Sequence, residues 1–190
     1  MSLYRRMHAR VLKVVEELDE EHLRARPGRS NSIAFNIWHV ARWDDNLHWL
    51  LPEMTPELRK RLAATQEIWT AERLASRWGF PPPERLGHSQ TGMGMDEAVA
   101  AGLALPAKDV LLDYARGAFA ALEAALAAVD DAELSEVAEV DRSRTPWMAA
   151  NVRSSTVASW ILGYLDHAER HLGMMEALRG IQGLRGTASV

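Results

Sequence analysis

The chain has 190 residues, 47% hydrophobic and 25% charged, which is enough for one packed core and excludes a disordered, collagen-like or low-complexity protein. Twenty-two Lys and Arg against 26 Asp and Glu leave a formal charge of -4, a poor footprint for a polyanion, so nucleic acid is not expected as the main partner. The absence of Cys removes disulfides, thiolate zinc sites, iron–sulfur clusters and cysteine nucleophiles together.

From Leu3 to about Glu20, the residues Leu3, Met7, Val11, Val14, Val15 and Leu18 recur at steps of three and four, the period of an amphipathic helix. Pro27 and Gly28 then break the chain. Ser30 to Ser32 supply caps for a Trp-rich second helix from about Ile33 to Leu51, with Pro52 ending it. Thr55 as cap and Pro56 at the first position open a third helical pattern running roughly to Trp78. Gly79 to Met95, GFPPPERLGHSQTGMGM, predicts a long irregular loop, either a lid across the open end of the bundle or a solvent-exposed connector. A short helix at Asp96 to Ala101 and an Ala- and Leu-rich helix from Lys108 to about Val129 follow. Val137 to Arg153 is less regular, with VAEV able to pair briefly as a strand. Ser154, Ser155 and Thr156 cap a last helix to about Arg179, with Gly180 and Gly183 as stop signals.

These elements predict an all-α fold: a four-helix bundle with extra short helices and a long loop between the second and third main helices. It forms a single domain over 1–190, with a bundle core at about 2–182 and a C-terminal tail at 183–190. No segment approaches the roughly 18 uncharged apolar residues of a membrane helix, and no secretory leader is visible. A cytoplasmic protein with no membrane partner is expected. The seven Trp are assigned to the core, with an aromatic cleft or a homodimer surface as the alternative use.

His167 and His171 are four apart on the last helix, so their side chains differ by only about 40° around the axis and about 6 Å along it. Trp160, Tyr164, Met174 and Leu178 fall on the same side, and Asp166, Glu169 and Glu176 on the other. Two imidazoles on an apolar stripe need partners, and one metal ion satisfies both; the plain alternative is a pair of core histidines. The zinc-protease pattern HExxH fails here because Ala168 follows the first His, and Glu169 is rotated away from the pair. A third ligand has to come from elsewhere, and His39, flanked by apolar residues in IAFNIWHVARW, is the best placed. His48 lies on the opposite side of that helix, while His8, His22 and His88 read as exposed. Asn36, Arg42, Trp43 and Asn46 share the face of His39, so Asn36, Arg42 and Asn46, with Tyr164 on the last helix, are candidates for orienting a ligand or the metal shell, the alternative being buried hydrogen bonding within the bundle. Asp44 and Asp45 read as a solvated pair or as partners of nearby Arg.

The segments NSIAFNIWHVARWDDNLHWLL, GFPPPERLGHSQTGMGMDEAVA and STVASWILGYLDHAERHLGMMEALRGIQGLRG resemble the DinB-like superfamily, of the DinB and YfiT types, over nearly the whole chain. The resemblance is strongest at His167-x-x-x-His171 followed by Leu172-Gly173, and weakest between Pro52 and Trp69. It implies a divalent metal held by one His of the second helix and two of the last, which carries over to His39, His167 and His171.

Three neutral imidazoles leave a coordination position open, as in catalytic rather than structural sites, and suit zinc, nickel, copper or ferrous iron alike. The resemblance further implies a thiol-dependent enzyme using a low-molecular-weight thiol such as mycothiol, bacillithiol or glutathione. Such enzymes are S-transferases or a maleylpyruvate isomerase, acting on a small-molecule substrate. The other readings are metal-assisted hydrolysis and a non-catalytic stress or ligand-binding protein whose metal staples the bundle.

Overall fold

Ser32 opens the helix on which the rest of the molecule packs: its side chain accepts from the Phe35 N–H at 3.1 Å and caps α3 (Ile33–Met54). The computed structural model describes residues 2–62, 65–141, 145 and 155–187. Before α3 come α1 (Ser2–Glu16) and α2 (Glu20–Arg24); after it come α4 (Pro56–Arg61), α5 (Ile68–Ala71), α6 (Leu74–Arg77), α7 (Glu97–Ala101), α8 (Lys108–Leu126) and α9 (Val157–Ile181). Among the described residues there is no strand, only isolated bridges at His88–Met93 and Val137–Thr156. The protein is therefore all-α, and VAEV contributes one bridge rather than a strand.

Helix α3 is buried on nearly every side, the expected position for a helix whose apolar residues are not confined to one stripe. It packs against α8 and α9, and α1 in turn packs against both of these. Met7, Val11, Val14 and Val15 of α1, Leu111, Ala115 and Leu122 of α8, and Val157, Ala168 and Met175 of α9 are all inaccessible to solvent. Trp38, Trp69, Trp78, Phe80 and Tyr114 form one ring cluster, with centroids 5.4–6.0 Å apart, beneath the loop that follows α6. Near the end of α9, Arg179 donates forward to the Arg185 carbonyl, so the start of the expected tail folds against its own helix.

Pro52 does not end the second main helix, which continues to Met54. A proline inside a helix leaves the carbonyl four residues earlier without its N–H donor. Here that carbonyl belongs to His48, and the Thr65 hydroxyl donates to it at 3.3 Å. The single helix expected from Pro56 to Trp78 is instead split into α4, α5 and α6. Asp45, buried on α3, accepts from the N–H groups of Ile68 and Trp69, both at 2.9 Å, and so starts α5 from another helix. Arg73, at φ 53°, separates α5 from α6. Helix α1 stops at Glu16, and Asp19 caps the separate turn of α2. Thr156 is the cap of α9, as expected, by accepting from Ser159 N–H. Ser154 and most of the irregular stretch 142–153 lie outside the described residues.

His22 is half-buried beside its cap residue and His88 is exposed, but His8 is only 2% exposed. Its ring stacks on Phe119 at 4.1 Å, and its two nitrogens face Asp44 at 2.8 Å and Glu123 at 2.6 Å. Nothing near His8 in the sequence indicates this burial, because both carboxylates come from distant helices. Asp44 and Asp45 are likewise fully buried rather than solvated, and Asp45 pairs with Arg42 at 3.2 Å.

With a carboxylate oxygen at each nitrogen, His8 is placed to donate an N–H bond to both, an arrangement that favours the imidazolium. Burial opposes the charge, but Asp44 and Glu123 raise its pKa above the ordinary value. Such a group adds stability that is complete below the unfolded pKa of about 6.5 and is lost as pH rises through the folded value. His8→Ala should therefore destabilise by about 3–5 kcal/mol in mildly acidic solution, the usual cost of stranding a buried charge. Urea unfolding at several pH values should show the gap between wild type and variant narrowing as the solution becomes alkaline.

Candidate metal centre

His39 occupies the middle of α3, where Phe35 and Trp43 flank its ring at 5.9 and 6.3 Å. Helix α9 runs beside it and presents His167 and His171. The His39 ring centroid lies 4.9 Å from that of His167 and 4.5 Å from that of His171, and these two lie 4.5 Å from each other. One ligand nitrogen from each residue falls within 4.8 Å of the others. The structure thus brings together all three residues singled out by spacing and apolar context. His39 is buried and the other two are half-buried; they sit at the edge of the core stripe rather than inside it, with Met174 beside them 45% exposed.

Hydrogen bonds determine which nitrogen each ring offers. His39 Nδ1 donates to the Thr91 carbonyl, so its lone pair is on Nε2. His171 Nδ1 donates to Asn36 Oδ1 at 2.7 Å, which leaves Nε2 free there as well. His167 Nε2 lies 3.0 Å from His39 Nε2, and its buried Nδ1 has no partner among the described residues. Two nitrogens bound to one ion at about 2.0–2.1 Å and roughly 90–110° stand about 3–3.4 Å apart. The donor set, its tautomers and its spacing fit a divalent metal.

The electrostatics agree with that chemistry. Burial pushes the pKa of His39 down to about 4, opposed by the Thr91 carbonyl and assisted by Arg170 and Arg42. His167 falls to about 2 through burial, the other two rings and Arg170, and His171 to about 3 through burial, His39 and Arg170. All three are neutral near pH 7, the form a metal requires.

Thr91 belongs to the long loop, which does lie against the three histidines. Its turn over 87–94 is closed by His88 N–H donating to the Met93 carbonyl at 2.8 Å. Ser89 and Gln90 both adopt the left-handed region, at φ 47° and 54°, a conformation that costs non-glycine residues about 1–2 kcal/mol each. Arg42 holds them there: it donates to the Ser89 carbonyl at 2.9 Å and the Gln90 carbonyl at 3.2 Å. Gln90 in turn accepts from Trp69 Nε1 at 2.9 Å. Gly92, at φ 89°, is needed at its position because a Cβ would stand 2.9 Å from Trp38, 3.0 Å from Phe35 and 3.3 Å from His39 Nδ1.

The four candidates for orienting a ligand separate into two groups. Asn36 touches the site through His171. Arg42 is fully buried, with its remaining donors on Asp45, Glu67 and Tyr114. Asn46 donates to Glu67 at 3.0 Å and accepts from Tyr164 at 3.0 Å, so these last three residues serve a network between α3, α5, α8 and α9. The Thr91 carbonyl carried no sequence signal, since any residue supplies one. Glu67, the acceptor shared by Arg42 and Asn46, was missed because its segment was read as the middle of a helix.

Residues 3–175 match the family model of the DinB superfamily, and the chain belongs to that superfamily. Among curated proteins, none matches it. Among the described residues, no helix is long and apolar enough to cross a membrane.

Partners that orient ligand rings typically alter metal affinity by about 10–100-fold. Asn36→Ala and Gly92→Ala are each expected to weaken zinc binding within that range, measured by competition with a chromophoric chelator. Far-UV circular dichroism should show unchanged helix content in both.

The lowered histidine pKa values also give a stability slope. Below about pH 6.5 the unfolded chain binds protons that the folded rings refuse, so the metal-free protein loses stability as pH falls from 6.5 toward 4. Thermal melts of chelator-treated protein should show this decline. It should be shallower in a variant with His39, His167 and His171 all replaced by Gln.

Proposed function

We propose that His39, His167 and His171 hold one divalent metal with a coordination position open to solvent, and that the protein is a thiol-dependent S-transferase acting on a small electrophile. The observation that carries this reading is the convergence of three neutral imidazoles, two of them with the tautomer set by Asn36 and Thr91, at a half-exposed edge of the core. Zinc, nickel and ferrous iron all accept this donor set.

A bound metal would lower the pKa of a coordinated thiol so that thiolate forms near neutral pH. The chain's own residues orient the rings, keep them unprotonated and shelter one side with Phe35 and Trp43. The sulfur of an external thiol forms the new bond to the electrophilic carbon, the leaving group departs with its electron pair, and the thiol proton passes to solvent. Membership of the DinB superfamily and a chain without Cys both accord with a thiol supplied by a cofactor. The charged side chains that act on the neutral rings are Arg170, on all three, and Arg42, on His39.

The test is a panel of low-molecular-weight thiols, each assayed with an activated aryl halide and a simple ester, using metal-loaded protein, chelated protein and the three single His→Ala variants. Thioether formation is expected only with metal and thiol together, falling at least a hundredfold in every variant. Ester cleavage independent of thiol would assign hydrolysis instead. Metal binding unchanged by all three substitutions would remove the site.

A further inference from the structure

The difference in burial among the three ligands shows which way the group opens. His39 is buried, whereas His167 and His171 are half-exposed, so access is along the solvent flank of α9. At about 100° per residue, Arg170 stands about 60° from His167 on the side away from Tyr164 and Ala168, which face the core. Arg170 is exposed and has no hydrogen bond or ion pair among the described residues. Asp166, one turn earlier, does not pair with it. Nearby Arg42 has all its donors engaged inside the protein, and Arg10 on α1 is paired with Glu169 at 3.3 Å. Arg170 is thus a free guanidinium at the opening, and its charge acts on all three rings. One turn further along α9, Met174 is 45% exposed, an apolar surface next to that charge.

We propose that Arg170 and Met174 form the rim of an anion subsite beside the three histidines. Its ligand is a small carboxylic acid, with the carboxylate on the Arg170 guanidinium and the hydrocarbon chain against Met174. A guanidinium matches a carboxylate with two parallel N–H bonds. Three neutral ligands leave the charge of a divalent ion uncompensated, which reinforces the preference for an anion. This inference deepens the metal reading and rests on it: one substrate of the proposed transferase carries a carboxylate.

The experiment uses cobalt-loaded full-length protein, whose visible absorption reports that the ion is held. Hexanoate is titrated by calorimetry into wild type, Arg170→Gln, Arg10→Gln and Met174→Ser. The expected result is a Kd about tenfold weaker for Arg170→Gln, the scale of one lost charge-assisted pair, with cobalt absorption retained and Arg10→Gln unchanged. Met174→Ser should weaken hexanoate more than acetate. Equal affinities in wild type and Arg170→Gln, no hexanoate binding at all, or an equal loss in Arg10→Gln would each overturn the subsite while leaving the metal reading intact. Absence of cobalt absorption in wild type would overturn both.

Discussion

Six polar side chains of α3, Asn36, His39, Arg42, Asp44, Asp45 and Asn46, lie in the interior, and each has to meet a hydrogen-bonding partner there. An unpaired buried charge costs several kcal/mol, a large part of the roughly 5–15 kcal/mol that separates a folded domain from its unfolded chain. The segments around α3 are placed accordingly. Asp45 starts α5, Arg42 holds the turn over 87–94, Asp44 reaches His8 of α1, and Asn36 meets His171 of α9. The polar face of one helix therefore determines the course of the irregular chain as well as the composition of the site.

The same constraint explains what was legible in advance. The long helices were readable because their apolar period records burial directly, residue by residue, as in Val11, Val14 and Val15. The three histidines were readable because polar rings among apolar neighbours are anomalous wherever they occur. Elements decided by a distant partner were not readable. Pro52 carries a local stop signal that Thr65 makes harmless, and the segment beginning at Glu67 has helical composition but is captured by Asp45. His8 lies near the start of the chain and reads as exposed, while the acids that enclose it come from α3 and α8. Thr91 acts through its carbonyl, an atom common to every residue.

Histidine ionisation is biased in two opposite directions within this interior. Around His8 the partners are carboxylates, which stabilise the cation. Around His39 they are a carbonyl, two further imidazoles and arginines, which favour the neutral base. The two environments are carried by the same helix, and neither depends on the intrinsic basicity of the ring. Arg42 links the interior to the loop: its five N–H groups all find acceptors, so two left-handed residues are held in a strained turn that would otherwise relax.

His39 and His167 are 128 residues apart in the chain, and the Thr91 carbonyl that orients His39 is 52 residues from it. Contacts of such long range form late, because the entropy of closing the intervening chain has to be overcome before they return anything. During synthesis the emerging polypeptide presents His39 long before α9 exists, so the three rings cannot meet until the last helix has left the ribosome and docked. Whatever requires all three together is captured only once α9 has docked on α3, so an ion held there would report on that docking.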